Sequence, residues 1–186
     1  MSTEQKIPWQ TKSQEIVLDT GFYQIRRDEV ITPSGTDGVY NVIVNKPSVF
    51  IVPVDPEGKI VLIRQYRYPT QMWSWEVPAG GSEEEGIFDA AKRELWEETG
   101  CSAQEWVKLP DMQAYNGASS QMAHVYYATG LYQTGQDEKE EDGIVEYQSF
   151  TWAEVLKMIE SGEFSDAQSI AALWKVKLYL EGKEDN

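Results

Sequence analysis

The sequence predicts an α/β or α+β sandwich, with helices packed on mixed strands and an antiparallel β meander at the N-terminus. Three features predict it. Short β-like alternating segments fill Gln14 to Asn45. Two continuous apolar runs, VFIVPV and KIVLIRQYR, flank the turn residues Asp55-Pro56-Glu57-Gly58. Three segments then repeat apolar residues at helical spacing.

Met1 to Lys12 reads as a polar arm. The meander QEIVLDTGFYQIRRDEVITPSGTDGVYNVIVN is punctuated by Gly21 and the Pro33–Gly38 cluster. Residues 1–46 therefore form one part and residues 47–186 a second domain. The apolar runs after Lys46 suit strands covered on both faces. A short strand, Trp73 to Val77, ends at Pro78-Ala79-Gly80-Gly81. Ile87, Ala90, Ala91 and Leu95 mark a helix from about Gly86 to Thr99, and Gly100 stands where a left-handed cap belongs. Short strands follow around Trp106 to Met112 and Met122 to Thr129, with loop chemistry at Tyr115 to Ser120. Thr134 to Gly143 is too charged for a core. Val145 to Thr151 is a strand. Helices at Trp152 to Ser161 and Asp166 to Leu180 close the chain, and EGKEDN frays.

At 186 residues and 41% hydrophobic content, the chain can bury a sizeable core as one domain, or one with a small appendage. Its formal net charge of −15, with pI near 4.4, repels nucleic acid backbones, and it has no block of Lys or Arg. No apolar run is long enough to span a bilayer, and MSTEQKIPWQTKSQEIV has no apolar signal core. Cys101 is the single cysteine, so a reducing, cytoplasmic compartment is expected. Seven Trp and ten Tyr leave rings to spare for a ligand or an oligomer interface.

The chemistry concentrates in AGGSEEEGIFDAAKRELWEETGC, Ala79 to Cys101. On a helix, Glu94, Glu97 and Glu98 share a side and repel one another. A divalent cation is the simplest way to keep them together, and hard cations such as Mg²⁺ take oxygen ligands of this kind. Arg93 is four residues from both Asp89 and Glu97 and can pair with either. Taken alone, such a run is a solvated acidic face. Its surroundings decide otherwise.

Glu85, Arg93-Glu94-Leu95, Glu97-Glu98 and Gly100-Cys101 stand at the spacing of the Nudix box, which the segment resembles from Glu85 onward. The motif glycine falls at Ala79 by strict counting, so Gly80 is its counterpart in a loop one residue shorter. The resemblance implies a Nudix α/β/α sandwich with an N-terminal antiparallel β arm domain, binding Mg²⁺ (or Mn²⁺). It makes Glu94 and Glu98 the principal metal ligands, with Glu97 and the Ala79 carbonyl as further donors and Arg93 fixing a carboxylate. Leu62-Ile63-Arg64-Gln65-Tyr66-Arg67, Trp75-Glu76-Val77-Pro78-Ala79-Gly80 and Gly162 to Ser169 are similar to the ADP-ribose and nucleoside diphosphate sugar pyrophosphatase branch. That branch implies a homodimer with exchanged arms. It implies substrate contacts from Arg64, Arg67, Glu76 and Gly80, and a catalytic glutamate in the acidic loop: Glu141, with Glu140 or Glu138 close behind.

The expected activity is metal-dependent hydrolysis of a nucleoside diphosphate sugar, of the ADP-ribose or ADP-glucose type, to a nucleoside monophosphate and a sugar phosphate. A dedicated ADP-ribose pyrophosphatase is the second reading, weakened because Tyr115-Asn116-Gly117-Ala118 lacks a proline common in such enzymes. A nucleotide-sugar sensor that binds without cleaving is a third. No nucleic acid or membrane partner is expected. His124, the one histidine, reads as structural, and Trp9, Tyr23 and Tyr40 as core or interface aromatics.

Overall fold

The computed structural model describes residues 8–82, 85–134 and 144–184. Contacts divide the chain into two compact units: Met1–Lys46 with Gln113–Gln121, and Pro47–Met112 with Met122–Asn186.

In the first unit, β1 (Gln10–Asp19), β2 (Tyr23–Ile31) and β3 (Asp37–Asn45) form an antiparallel sheet in that order. The predicted meander is there, and its first strand begins inside the expected polar arm, at Gln10. Segment Gln113–Gln121 joins β3 through Ile43 N to Ala118 O, 2.8 Å, and Tyr40 Oη to Gly117 O, 2.7 Å. Asp28 is the buried polar group of this sheet. Its carboxylate accepts two hydrogen bonds from Arg26, at 2.8 and 2.9 Å, and one from Gln14 at 3.1 Å. The Arg26 hydrogen bonds lead the effects that hold its carboxyl below the ordinary value, against burial.

The second unit is layered. β4 (Ser48–Pro53) runs parallel to β10 (Met122–Gln133) and antiparallel to β7 (Ala79–Gly81), while β8 (Cys101–Lys108) pairs antiparallel with β10. A second sheet orders β11 (Ile144–Phe150), β5 (Ile60–Arg67) and β6 (Met72–Glu76), all antiparallel. β9 is a two-residue strand, Met112–Gln113. Helix α1 spans Ile87–Thr99, α2 Trp152–Ser161 and α3 Ala167–Glu184.

The run VFIVPV now has a cause. Side chains alternate along β4. Val49 and Ile51 join Ala90, Ala91 and Leu95 of α1 in one core. Phe50 and Val52 join Val155 and Met158 of α2 and Leu173 and Val176 of α3 in another. A strand buried on both faces shows no polar alternation. Emptying the buried Leu95 side chain would cost about 2–5 kcal/mol, against about 0–1 kcal/mol for an exposed ion pair. α1 is therefore held by Leu95 and its alanines rather than by Lys92–Asp89 on its surface. α2 starts at a capping box between Thr151 and Glu154, the chemistry that ends β11.

Two expected boundaries are corrected. β8 begins at Cys101, directly after the left-handed Gly100 cap (φ 67°), and ends at Lys108, not over Trp106 to Met112. Its first residues are mixed in polarity, yet backbone pairing carries them: Cys101 opposes Gln133, which also lengthens β10 past Thr129. α3 continues to Glu184 instead of fraying after Leu180. Lys177 and Glu181 pair at 3.0 Å across one turn, and Lys183 sits at the negative end of the helix. No described helix is long and apolar enough to cross a membrane.

The Asp28 site makes a pH prediction. A carboxyl lowered in the folded state contributes stability above its unfolded value, near pH 4, and loses it as pH falls through the folded value. Thermal unfolding of wild type and Asp28→Asn from pH 7 to pH 2 is expected to show a constant gap above about pH 4 that closes below it. A gap unchanged down to pH 2 would remove the ion pair from the account.

Candidate active site

α1 presents its carboxylates to β7. Glu98 is 3% exposed and Glu94 7%. Glu98 Oε2 accepts the Ala79 N–H at 2.9 Å. Glu94 packs on the bare backbone of Gly80: a Cβ there would land on its carboxylate. β7 itself is pinned to β4, with Gly80 opposite Val49 and Ala79 opposite Phe50. The glycine-rich loop is thus a surface against which two buried carboxylates lie, and Gly80 is the position that must stay without a side chain.

One guanidinium organises the remaining charge. Arg93 Nη1 lies 2.6 Å from Glu97 Oε2 and 2.9 Å from Glu94 Oε1, and Nη2 lies 3.0 Å from Glu85 Oε1. The same Nη2 donates to the Gly81 carbonyl at 2.9 Å. Burial would lower the Arg93 pKa, but the Glu85 hydrogen bond and the charges of Glu94 and Glu97 raise it above its ordinary value. Asp89, the other partner allowed by spacing, pairs instead with Lys92 at 2.9 Å. The five-donor fork explains the choice: Arg93 gathers loop and helix carboxylates at once, which a single pair to Asp89 would not.

Arg67 and Glu76 form a second element, the carboxylate buried and the guanidinium half-exposed. Arg67 donates from Nε at 2.9 Å and Nη2 at 2.5 Å to Glu76, which is 4% exposed. The Glu76 hydrogen bond dominates in raising the Arg67 pKa, and the charges of Glu98 and Asp166 add to it, so Arg67 feels the α1 cluster. Arg64 is elsewhere. Strand alternation puts it on the opposite row of β5, paired with Glu146 at 3.1 Å and within 6 Å of the Trp73 and Trp75 rings. The structure therefore brings Ala79, Gly80, Glu94, Glu97, Glu98, Arg93, Arg67 and Glu76 into one region and leaves Arg64 outside it. Glu138, Glu140 and Glu141 lie outside the described residues.

Among the described residues, no three acidic, histidine or cysteine side chains form a ready-made metal cage. Arg93 accounts for this by drawing Glu85, Glu94 and Glu97 to itself. The donors nevertheless fit a magnesium-type ion. Mg²⁺ keeps several waters and binds through one or two carboxylates together with substrate phosphate. Two buried carboxylates one turn apart supply that number of hard oxygen donors.

Contacts that the sequence did not reveal link α3 to this region. Ser169 Oγ accepts the Val77 N–H at 3.1 Å, and Asp166 accepts the Ser169 N–H at 2.7 Å. His124 of β10 lies 2.9 Å from Asp111, which follows β8. Burial works to raise the Asp111 carboxyl, but His124 and Lys108 outweigh it and hold it low. Cys101 is buried, and burial pushes its thiol pKa up.

A model of the NUDIX domain matches residues 44–173. This chain belongs to the Nudix family. The Nudix chain is 31% identical over 177 residues to a protein named ADP-ribose pyrophosphatase from Mycobacterium tuberculosis, covering 94% of this chain and 86% of that one. It is 32% identical over 160 residues to one of the same name from Bacillus subtilis, covering 84% of each. A solved structure of an ADP compounds hydrolase covers 98% of both chains, with a TM-score of 0.82 and 23% identity, and shares the fold. The Nudix chain is thus a hydrolase of pyrophosphate bonds in the ADP-ribose pyrophosphatase branch. The layered sheets and helices described above are its Nudix fold.

Gly80→Ala tests the loop surface. The atoms in the way are the carboxylate end of a side chain and not backbone, so the fold should tolerate the methyl group while the Glu94 carboxylate is displaced. Expected are unchanged far-UV circular dichroism and a fall in pyrophosphate hydrolysis of about tenfold or more. Retained activity would show that the Glu94 position does not matter.

Proposed function

We propose that this Nudix hydrolase cleaves nucleoside diphosphate sugars of the ADP-ribose and ADP-glucose type, with Mg²⁺ or Mn²⁺, to a nucleoside monophosphate and a sugar phosphate. The observation that carries this reading is the burial of Glu94 and Glu98 one turn apart against Ala79 and Gly80. Burying two carboxylates is costly unless positive charge accompanies them. The names of the M. tuberculosis and B. subtilis relatives support the substrate class.

Each residue then has a task. Glu94 and Glu98 hold the cation, with Glu97 and the Ala79 carbonyl as further donors. Arg93 ties Glu97 and Glu85 to the loop, so that the acidic helix keeps its shape. When bound, the cation supplies charge to the diphosphate oxygens and makes an attacking water more acidic. Arg67, held at a fixed angle by Glu76, grips the diphosphate beside Gly80, whose bare backbone seats the Glu94 carboxylate. Arg64, on the other row of β5, is left the terminal sugar rather than the diphosphate. Glu141, with Glu140 beside it, accepts the proton of the water; this assignment rests on the family resemblance alone. Water adds to one phosphorus as the bridging bond to the other phosphoryl group breaks.

A panel of nucleoside diphosphate sugars, with phosphate release read after phosphatase coupling, tests the activity. ADP-ribose and ADP-glucose are expected to turn over with Mg²⁺, and Glu98→Gln to lose roughly 100-fold or more while staying folded. Turnover confined to ADP-ribose would favour the dedicated enzyme. Binding of ADP-ribose without product would favour the sensor, and a fully active Glu98→Gln would sink the metal assignment.

The same reading includes a homodimer built through the N-terminal sheet. All ten residues of β1 are exposed, and Trp9, Ile16, Val17, Leu18, Phe22 and Val39 lie open on this unit. A three-stranded sheet with so much apolar surface needs a cover. Sedimentation equilibrium is expected to give twice the 21.2 kDa chain mass. A monomer at micromolar concentration would count against it.

A further inference from the structure

Residues 76–79 carry the chain from β6 in one sheet to β7 in the other, and they do so at the centre of the candidate site. Three elements hold this short crossing. The Pro78 carbonyl accepts the Ile51 N–H of β4 at 2.9 Å. The Ala79 N–H donates to Glu98 of α1 at 2.9 Å. The Val77 N–H donates to Ser169 Oγ of α3 at 3.1 Å. Pro78 has no N–H of its own. The amides on either side of Pro78 are thus each held by a side chain, Ala79 by a carboxylate of the acidic helix and Val77 by Ser169.

Ser169 is built for this contact. It is fully buried, as is Val77. Its own amide is fixed by the Asp166 carboxylate at 2.7 Å, at the first turn of α3, so helix and hydroxyl move as one. Asp166 also adds to the field on Arg67, which grips Glu76 at the start of the crossing.

We propose that Ser169 is a positioning residue: its hydroxyl fixes the Glu76–Ala79 crossing so that Ala79 stays on Glu98 and Gly80 stays on Glu94. Ser169 touches neither substrate nor metal; it acts through the backbone. The proposal deepens the metal-dependent reading above and rests on it for its effect on turnover. Its effect on the backbone is independent of any substrate.

The test compares the full-length wild type with Ser169→Ala, Ser169→Thr and Val155→Ala. The last removes core contacts of α2 and none of the hydrogen bonds that hold the crossing. Amide exchange is read by NMR, Mn²⁺ binding by electron paramagnetic resonance without substrate, and kcat and KM with ADP-ribose, all well below each melting temperature. Ser169→Ala is expected to speed exchange at both Val77 and Ala79 by about tenfold. Its Mn²⁺ affinity should fall about tenfold and its kcat about 10- to 100-fold, with KM nearly unchanged. Ser169→Thr, which keeps the hydroxyl, should restore all three, and Val155→Ala should melt earlier yet keep them. The proposal is overturned if Ser169→Ala only melts earlier, if Ala79 exchange does not change, or if Val155→Ala shows the same losses. A wild type that cleaves no nucleoside diphosphate sugar would sink the functional reading instead, and the exchange data would still decide the role of Ser169.

Discussion

Carboxylates one helical turn apart repel, and burial strengthens the repulsion because water no longer screens it. α1 places Glu94 and Glu98 in this situation and adds Glu97 at its edge, with Glu85 coming from the loop before it. Arg93 answers part of the problem. It touches Glu85, Glu94, Glu97 and the Gly81 carbonyl, so one side chain stitches the loop before the helix to the helix itself. One positive charge does not balance four negative ones. The rest of the compensation comes from hydrogen bonding at Ala79, from the nearby Arg67, and on the proposed reading from a cation and its substrate. Local shape and chemistry are therefore the same question on the proposed reading: what lets the acidic helix fold is what would equip it to hold a cation and its diphosphate.

The scaffold keeps these groups in register. β4 is the hub, since its two faces feed separate cores, one under α1 and one under α2 and α3. β7 hangs on the edge of β4 and lies under the α1 carboxylates. The loop thus takes its place from a strand sealed on both sides, while α3 supplies a further anchor through Ser169. Precision at the site comes from buried, interlocked backbone rather than from the exposed pairs at the surface, such as Lys59–Glu57 and Lys12–Asp37.

Much of this was legible in the sequence where the signal is local. VFIVPV and KIVLIRQYR announced central strands because burial on both faces leaves no polar alternation. Ile87, Ala90, Ala91 and Leu95 announced α1, and Gly100 its end. The spacing of Glu85, Arg93, Glu94, Glu97 and Glu98 announced the cluster. What the sequence hid is non-local or competitive. β8 starts among mixed residues because β10 pairs with it, and no single segment states that. Spacing allowed Arg93 to take Asp89 or Glu97, and only the fold, which brings Glu85 and Gly81 within reach, decides. Arg64 and Arg67 look equivalent in a string and part only when the strand register is known. Ser169 and Val77 are 92 residues apart, so their contact leaves no mark on either segment.

β5 acts as a partition wall. Its eight residues carry two rows of side chains: Arg67 shares one with the buried Val61 and Ile63, and Arg64 and Tyr66, beside the Trp73 ring, share the other with the core residues Ile60 and Leu62. A lineage can thus vary Arg64 and Tyr66, at the exposed end of one row, while Arg67 on the other stays paired with Glu76.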